Sequence, residues 1–264
     1  MKKQIILFII AGMLWGAGCD IIKEENRLIP IISKSVDEKK VLLFEFTDQN
    51  CANCPNATAE TNKLKERFSD TIVVVSIHAS PFPFQLRTSE GNEYEQHFQA
   101  EGHPTGIVDG GVEGKFMSHD PQVWGGFIIE RLQTEPAVNI GLNAIFDEIT
   151  NEVCINVLLN GKQVLPDVRL LLWIIENNIQ QWQLMPDGTR NDSYIHNHVF
   201  RVPINGIWGE SLSIGTNEAK DFNYTFTLNS TWKPEDISIV GFVYEPDTDE
   251  TFNVQEISLI NKKE

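Results

Sequence analysis

Apolar residues in the first half of the chain form two kinds of pattern: short continuous runs and stretches with helical spacing. The runs over 41–47 and 71–78 are rich in β-branched residues and almost free of charge, which is typical of buried strands. Apolar positions three or four residues apart predict helices over 56–68, 89–100 and 120–132. The first of these should start near Cys51, because Pro55 is tolerated only in a first turn. Segments 106–108 and 112–116 flank Asp109-Gly110-Gly111 and predict a hairpin.

After Glu135-Pro136 the spacing of apolar residues changes to a period of two. Alternation over 138–146 and 153–159 and a dense apolar run over 170–175 indicate strands, separated by turn signals such as Asn160-Gly161. Further β-rich segments follow at 194–202, 222–228, 237–244 and 252–260. Seven or eight strands without helical periodicity predict an all-β, immunoglobulin-like sandwich over 137–264. The sequence thus predicts an α/β domain over 36–134 followed by this sandwich.

The first residues predict an export signal. Lys2 and Lys3 precede a short apolar run, and the small residues 16–18 lead directly into Cys19. This ending resembles the lipobox of bacterial lipoproteins, which implies removal of residues 1–18 and acylation of Cys19. Residues 19–35 lack periodicity and are predicted to be an acylated tether. Within it, Lys23-Glu24-Glu25 resembles a surface-export signal of Bacteroidota lipoproteins. We expect lipid anchoring at the outer membrane, with the periplasmic or surface leaflet left open.

Composition narrows the class of partners. The 264 residues include 21 Lys and Arg against 37 Asp and Glu, a formal charge of −16. A negative field of this size repels phosphate backbones, so we expect no nucleic-acid partner. Four cysteines are too few for a disulfide-scaffold protein.

The cysteine pair Cys51-Ala-Asn-Cys54-Pro55 lies where the first buried strand meets the first helix. Exposed N–H groups at a helix start stabilise a thiolate, which suits thiol–disulfide exchange. The order strand, CxxC, helix, strand, helix, x-Pro-Thr, hairpin, helix resembles the thioredoxin fold. This resemblance implies that Cys51 is the nucleophile, Cys54 the resolving thiol, Glu45 a buried proton acceptor and Pro104 a cis-proline beside the disulfide. Where thioredoxins carry a Trp before the first cysteine this chain has an asparagine, which leaves the direction of exchange open.

Two histidines are candidates to act on the cysteines. His103 immediately precedes Pro104, and His78 ends a neighbouring strand, so an imidazolium at either position would favour the Cys51 thiolate. Each could equally have no role. A zinc site of Cys51, Cys54, His78 and His103 lacks a second closely spaced pair, so we expect no metal and no cofactor. A permanently closed structural disulfide remains open as an alternative.

Tyr194, His196 and His198 occupy alternate positions of a predicted strand and so share one face, which suits a structural or partner-facing role. Together with Phe44-Glu-Phe-Thr47 before the cysteines and His103-Pro-Thr-Gly-Ile-Val108 after them, the segment Tyr194-Ile-His-Asn-His-Val-Phe-Arg201 resembles the twenty-eight-kilodalton outer-membrane lipoprotein family of Bacteroidota. That resemblance implies a thioredoxin-like domain on a β-sandwich and leaves the activity undecided.

Two functions remain as hypotheses. The first is a thiol–disulfide oxidoreductase that acts on the thiols and disulfides of exported proteins. The second is a non-catalytic surface binding or adhesion module for an unidentified ligand, in which the cysteines form a structural disulfide.

Overall fold

The computed structural model describes residues 31–32 and 38–260 of the chain. The predicted signal peptide, Cys19 and the tether apart from residues 31–32 lie outside this part. No helix among the described residues is long and apolar enough to cross a bilayer. The described chain is rich in β-structure and has a mixed parallel and antiparallel sheet.

The helices and strands follow one another in two blocks. In the first block the helices are α1 (Cys54–Phe68), α2 (Ser89–Phe98) and α3 (Trp124–Leu132), and the strands are β1 (Ile31–Ile32), β2 (Val41–Thr47), β3 (Ile72–His78), β4 (Thr105–Val108) and β5 (Met117–Ser118). The second block consists of β6 (Val138–Asp147), β7 (Glu152–Gly161), β8 (Leu165–Glu176), β9 (Ile179–Leu184), β10 (Arg190–His196), β11 (Val199–Pro203), β12 (Glu210–Ile214), β13 (Ala219–Thr227), β14 (Ile237–Tyr244) and β15 (Thr251–Ser258).

Three differences from the boundaries predicted for the first half of the chain have a local backbone cause. Helix α1 begins at Cys54 and not near Cys51, because residues 51–53 form a turn in which the Cys54 N–H donates to the Cys51 carbonyl, 3.4 Å away. The second hairpin strand is β5 and not 112–116, because Gly111 and Gly114 adopt φ of +71° and +72° around a short 3₁₀ helix. Helix α3 likewise begins after a 3₁₀ turn, Pro121–Val123, that Asp120 caps.

One sheet runs through both halves of the chain. Among the described residues it has nine strands, in the order β15-β14-β8-β11-β3-β2-β4-β5, with β12 paired to β8 beside β11. The two halves meet where β11 pairs in parallel with β3, with Val199 opposite Ser76. The sheet therefore crosses the predicted boundary between 134 and 137, and the division into two domains stays a prediction.

The two faces of this sheet are covered differently. One face packs against α2 along much of its width, in a core that includes Phe44, Tyr94 and Trp173. The opposite face packs against α1 and α3 at one end, around Leu43 and Trp124. At the other end it packs against a second sheet of order β1-β6-β7-β13, which buries apolar residues of β6, β7, β8 and β14. The second half is thus a two-layer β-structure whose inner layer is the shared sheet.

A buried ionic network joins the two halves of the chain near the start of β2. The Asp109 carboxylate is fully buried and contacts Lys39 Nζ at 2.8 Å and Arg131 Nε at 2.9 Å. Its other oxygen accepts the Leu42 N–H at 2.9 Å. Lys39 also donates to the Thr251 carbonyl, 212 residues later in the chain. Burial lowers the pKa of Lys39, and the Asp109 carboxylate opposes that shift.

We predict that Asp109→Asn lowers the free energy of unfolding by about 3–5 kcal/mol, because it removes the carboxylate paired with the buried Lys39 and one of the two carboxylates paired with Arg131. Chemical denaturation followed by circular dichroism measures this loss. The control is Asp192→Asn, which removes an exposed ion pair with Arg190 and should cost under about 1 kcal/mol. Equal losses in the two variants would contradict the role given to the network.

Candidate functional site

The two cysteines are joined in a disulfide with a Cα–Cα distance of 5.4 Å. Strand β2 ends four residues before Cys51, and α1 begins at Cys54. Cys51 is half-buried, whereas Cys54 is 1% exposed. The Cys54 N–H lies 3.1 Å from the Cys51 sulfur, which places that sulfur at the positive end of the helix dipole. Of the two sulfurs, the Cys51 sulfur is therefore the one better placed to carry a negative charge.

Glu45 is buried on the face of β2 that packs against α1. Thr58, one turn beyond Cys54 in α1, donates to Glu45 Oε1 at 3.1 Å, and Ser76 of β3 donates to Oε2 at 3.3 Å. Burial raises the pKa of Glu45 from 4.5 to about 7, although the hydroxyls of Thr58, Thr61 and Ser76 oppose the shift. A carboxyl group with this pKa can take up and release a proton near neutral pH.

His78 lies at the end of β3, opposite Thr47, the last residue of β2. Its ring is buried and packs edge-on against the ring of His196, with 5.2 Å between centroids. Burial holds the pKa of His78 well below 6.5, and the positive charges that His196, His103 and Arg201 can carry lower it further. Burial also lowers the pKa of His196 from 6.5 to about 4, so both rings are neutral at neutral pH.

The hairpin β9–β10, which we call the arm, brings residues of the second half to the cysteines. Its Gln183 side chain is buried, and Nε2 donates to the carbonyls of Cys51 at 3.0 Å and Asp48 at 3.2 Å. Gln49, two residues before Cys51, donates in turn to the Trp182 carbonyl at 2.9 Å and accepts the Leu86 N–H at 3.2 Å. The arm thus holds the cysteine loop through the side chains of two glutamines.

Tyr194 and His196 face inward from the arm, while Ile195 between them is 45% exposed. Tyr194 packs on His196 at 4.8 Å between ring centroids. His198 does not share their strand. It lies between β10 and β11 with a left-handed φ of +58°, which ends the strand. Burial lowers the pKa of His198 from 6.5 to about 3, and the positive charge of Lys65 in α1 lowers it further. The prediction of a single strand over 194–202 is therefore wrong, because the segment is divided between β10 and β11.

His103 and Pro104 are joined by a cis peptide bond at the start of β4. Register places Thr105 opposite Phe46, so Pro104 lies at the same sheet edge as the end of β2. His103 Nε2 lies 2.5 Å from Glu95 Oε1 of α2, so this ring is engaged by a carboxylate. The Thr105 hydroxyl, next in the chain, lies 2.7 Å from His119 Nδ1.

No group of three or more His, Cys, Asp or Glu side chains within residues 31–32 and 38–260 is arranged to hold a metal ion. His78 and His196 form a pair without a third ligand of this kind. The zinc site weighed from the sequence therefore has no support in the geometry of these residues.

A family model described as outer membrane protein Omp28 matches residues 91–263, well over half of the chain. The chain belongs to the Omp28 family. The family resemblance seen in the sequence and the predicted outer-membrane location are thereby confirmed. The Omp28 match includes His103, Pro104 and the arm and begins after Glu45 and both cysteines. Membership therefore leaves the chemistry of the disulfide to be argued from its geometry.

Solved structures show likeness in fold. HBP35 of Porphyromonas gingivalis aligns with a TM-score of 0.68 at 17% identity, over 85% of this chain and 76% of that one. An Agrobacterium tumefaciens protein from a structural genomics consortium aligns with a TM-score of 0.53 at 13% identity, over 87% and 98%. A domain of the outer membrane lipoprotein Omp28 from Porphyromonas gingivalis is 24% identical over 46% of this chain and 87% of that domain, with a TM-score of 0.34. No curated protein matches the sequence.

Sequence reasoning missed the two glutamines, Gln49 and Gln183, at this site of the Omp28 chain. Neither lies in a motif, and their contacts join positions more than a hundred residues apart. It also missed His119, which follows β5 and lies near the cis-proline. No sequence signal marks Gln183, because its burial within β9 is visible only in the structure.

We predict that Glu45→Gln stabilises the protein more at pH 8 than at pH 4.5. The pKa of Glu45 is raised from 4.5 to about 7 in the folded state, so the fold favours the protonated carboxyl. The stability that this protonated group contributes is complete below pH 4.5 and is lost as pH rises through 7. The difference in unfolding free energy between variant and wild type should change by about 3 kcal/mol over this range. Denaturation at both pH values tests this. Glu66→Gln, an exposed change on α1, should leave the difference constant; a constant difference for Glu45→Gln would refute the buried-acid assignment.

Proposed function

We propose that this Omp28-family protein is a thiol–disulfide oxidoreductase of the outer membrane that acts on exported proteins. Residues 36–134 would form a thioredoxin-like domain, and residues 137–264 a second domain that docks the substrate or partner. The observation that carries the proposal is the Cys51–Cys54 disulfide at the first turn of α1, with Glu45 buried beneath that helix. The position of Pro104 at the same sheet edge as the end of β2 supports it.

The chemistry follows from the different surroundings of the two sulfurs. In the reduced protein, the Cys51 thiolate attacks one sulfur of a substrate disulfide, forms a mixed disulfide and releases the first substrate thiolate, which takes a proton from water. The Cys54 thiol then gives its proton to the Glu45 carboxylate and attacks the Cys51 sulfur. The bond between Cys51 and the substrate breaks, and the second substrate thiolate leaves and is protonated. The substrate disulfide is thus reduced to two thiols while the protein dithiol is oxidised, and the reverse sequence oxidises a substrate.

A non-catalytic binding module is the second candidate, and one observation favours it. Cys54 is almost fully buried, and Gln183 of the arm holds the Cys51 carbonyl, as would suit a disulfide that never opens. The reduction potential of the pair, measured against glutathione buffers, separates the two functions. A value between about −120 and −270 mV supports exchange, and one below about −300 mV supports the structural disulfide.

We predict that Cys51→Ser abolishes disulfide exchange with insulin, because the attacking thiolate is lost. Cys54→Ser is the matched variant: it retains the attacking thiol but cannot resolve the intermediate, so it should accumulate a mixed disulfide with substrate. Turnover and non-reducing electrophoresis measure both effects. Unchanged turnover in Cys51→Ser would contradict the proposal.

Anchoring through an acylated Cys19 is the proposed mode of attachment. We predict that Cys19→Ser moves the protein out of the membrane fraction of fractionated cells, because several acyl chains anchor stably whereas a polar tether does not. Cys51→Ser should remain with the membranes and controls for the loss of a thiol. Retention of the Cys19 variant in washed membranes would argue against the lipid anchor.

A further inference from the structure

A small cleft whose walls come from both halves of the chain lies next to the hydroxyl groups that bind Glu45. The residues that carry these hydroxyls, Thr58 and Ser76, line one side, together with His78. Tyr194 and His196 of the arm line the other side. The free volume of the cleft, about 10 Å³, is close to the ~10–15 Å³ that one water molecule needs.

Two buried nitrogen atoms belong to the rings that line this cleft. His78 and His196 are 4% and 5% exposed, and in the described part of the chain His78 Nδ1 and His196 Nε2 have no hydrogen-bond partner. Leaving such atoms unpaired costs free energy, and a water molecule usually satisfies them where the site is polar and large enough. The cleft is polar, since the hydroxyls of Thr47, Thr58 and Ser76 and the phenol of Tyr194 also line it, and its volume is close to that of one water molecule.

The proton chemistry of Glu45 requires a route to solvent. Glu45 is 1% exposed, so a proton that it receives from Cys54 cannot pass directly to bulk water. The hydroxyl of Thr58 contacts Glu45, and the same hydroxyl and the charge of Glu45 both act on the pKa of Tyr194, which burial raises. Tyr194 in turn packs on His196. These contacts lead from the carboxylate to the half-exposed arm.

We propose that the cleft holds one water molecule and that this water, with Tyr194 and His196 of the arm, carries protons between Glu45 and solvent. The inference rests on the proposed oxidoreductase function and adds to it that the second half of the chain completes the proton pathway of the thiol site. Tyr194 and His196 are positioning residues in this scheme, because they act on the cysteines through Glu45. A neutral imidazole suits the relay, since one ring nitrogen accepts a proton as the other releases one.

Several ionisable groups face this pathway. His78 is faced by His196, His103 and Arg201. His196 makes hydrogen bonds with the backbone of Trp182 and Gln181. The carboxylate of Glu45 is surrounded by hydroxyl groups of α1 and β3. The groups closest to the water are thus neutral or hydroxylic, so the pH dependence of the resolving step should follow Glu45.

The test starts from the full chain in detergent with Cys51 joined to glutathione in a mixed disulfide. We measure, at a series of pH values, the rate at which Cys54 displaces the glutathione and re-forms the Cys51–Cys54 disulfide. We expect Tyr194→Phe and His196→Leu each to slow this step about tenfold at pH 7 and to move the midpoint of its pH profile upward. Ile195→Ala, an exposed change between them, should leave the rate and the profile unchanged.

A double-mutant cycle separates proton transfer from structural damage. If the arm acts through Glu45, neither arm substitution slows closure further in a Glu45→Gln background. If the same slowing occurs with and without Glu45, the relay is refuted, even for the conservative Tyr194→Phe. If the wild-type pair fails to exchange with glutathione at all, the proposed oxidoreductase function itself is refuted. The two failures are therefore distinguishable.

Discussion

The structure depends on one fully buried carboxylate, that of Asp109, and the charges gathered around it. Lys39 precedes β2, Arg131 lies in α3, and both also donate to the carbonyl of Thr251, the first residue of β15. Gly110 follows directly, and a Cβ there would come within 1.8 Å of the Asp249 carbonyl, so the two segments approach as closely as backbones can. Separating a buried charge from its partner costs several kcal/mol, so an arrangement that keeps Asp109 against Lys39 and Arg131 is strongly favoured. The network therefore fixes how the first half of the chain sits on the second.

That fixed arrangement explains why the cysteine loop is built from distant parts of the chain. The shared sheet aligns β3 with β11, and the strands that precede β11 form the arm. Gln49 of the cysteine loop then donates to a backbone carbonyl of the arm, and Gln183 of the arm donates to a backbone carbonyl of the loop. Both side chains are almost fully buried. A small α/β domain on its own would leave these backbone carbonyls to water. Here the second half both orders the loop and limits access to it.

The sequence predicted features that depend on neighbouring residues, and it missed those that depend on how distant strands align. The runs that became β2 and β3 are continuous and apolar, so their burial could be predicted, whereas the turn that delays the start of α1 from Cys51 to Cys54 was missed. The cis bond before Pro104 was expected from the x-Pro-Thr pattern. The pairing of His78 with His196 was not predictable, because it requires the alignment of β3 and β11. The left-handed backbone at His198 has no clear sequence signal, since glycine or asparagine is the usual residue there.

The parallel pairing of β3 with β11 has a consequence for how the molecule is assembled. Ribosomes deliver the first half before the second, so β3 exists for a time with an open edge of unpaired N–H and C=O groups. Only after residues 199–203 have emerged can β11 cover that edge and connect the sheet to β8. Such non-local pairing makes folding slow, because a long loop must close before its contacts form. Until that loop closes, the β3 edge is therefore open to pairing with another strand.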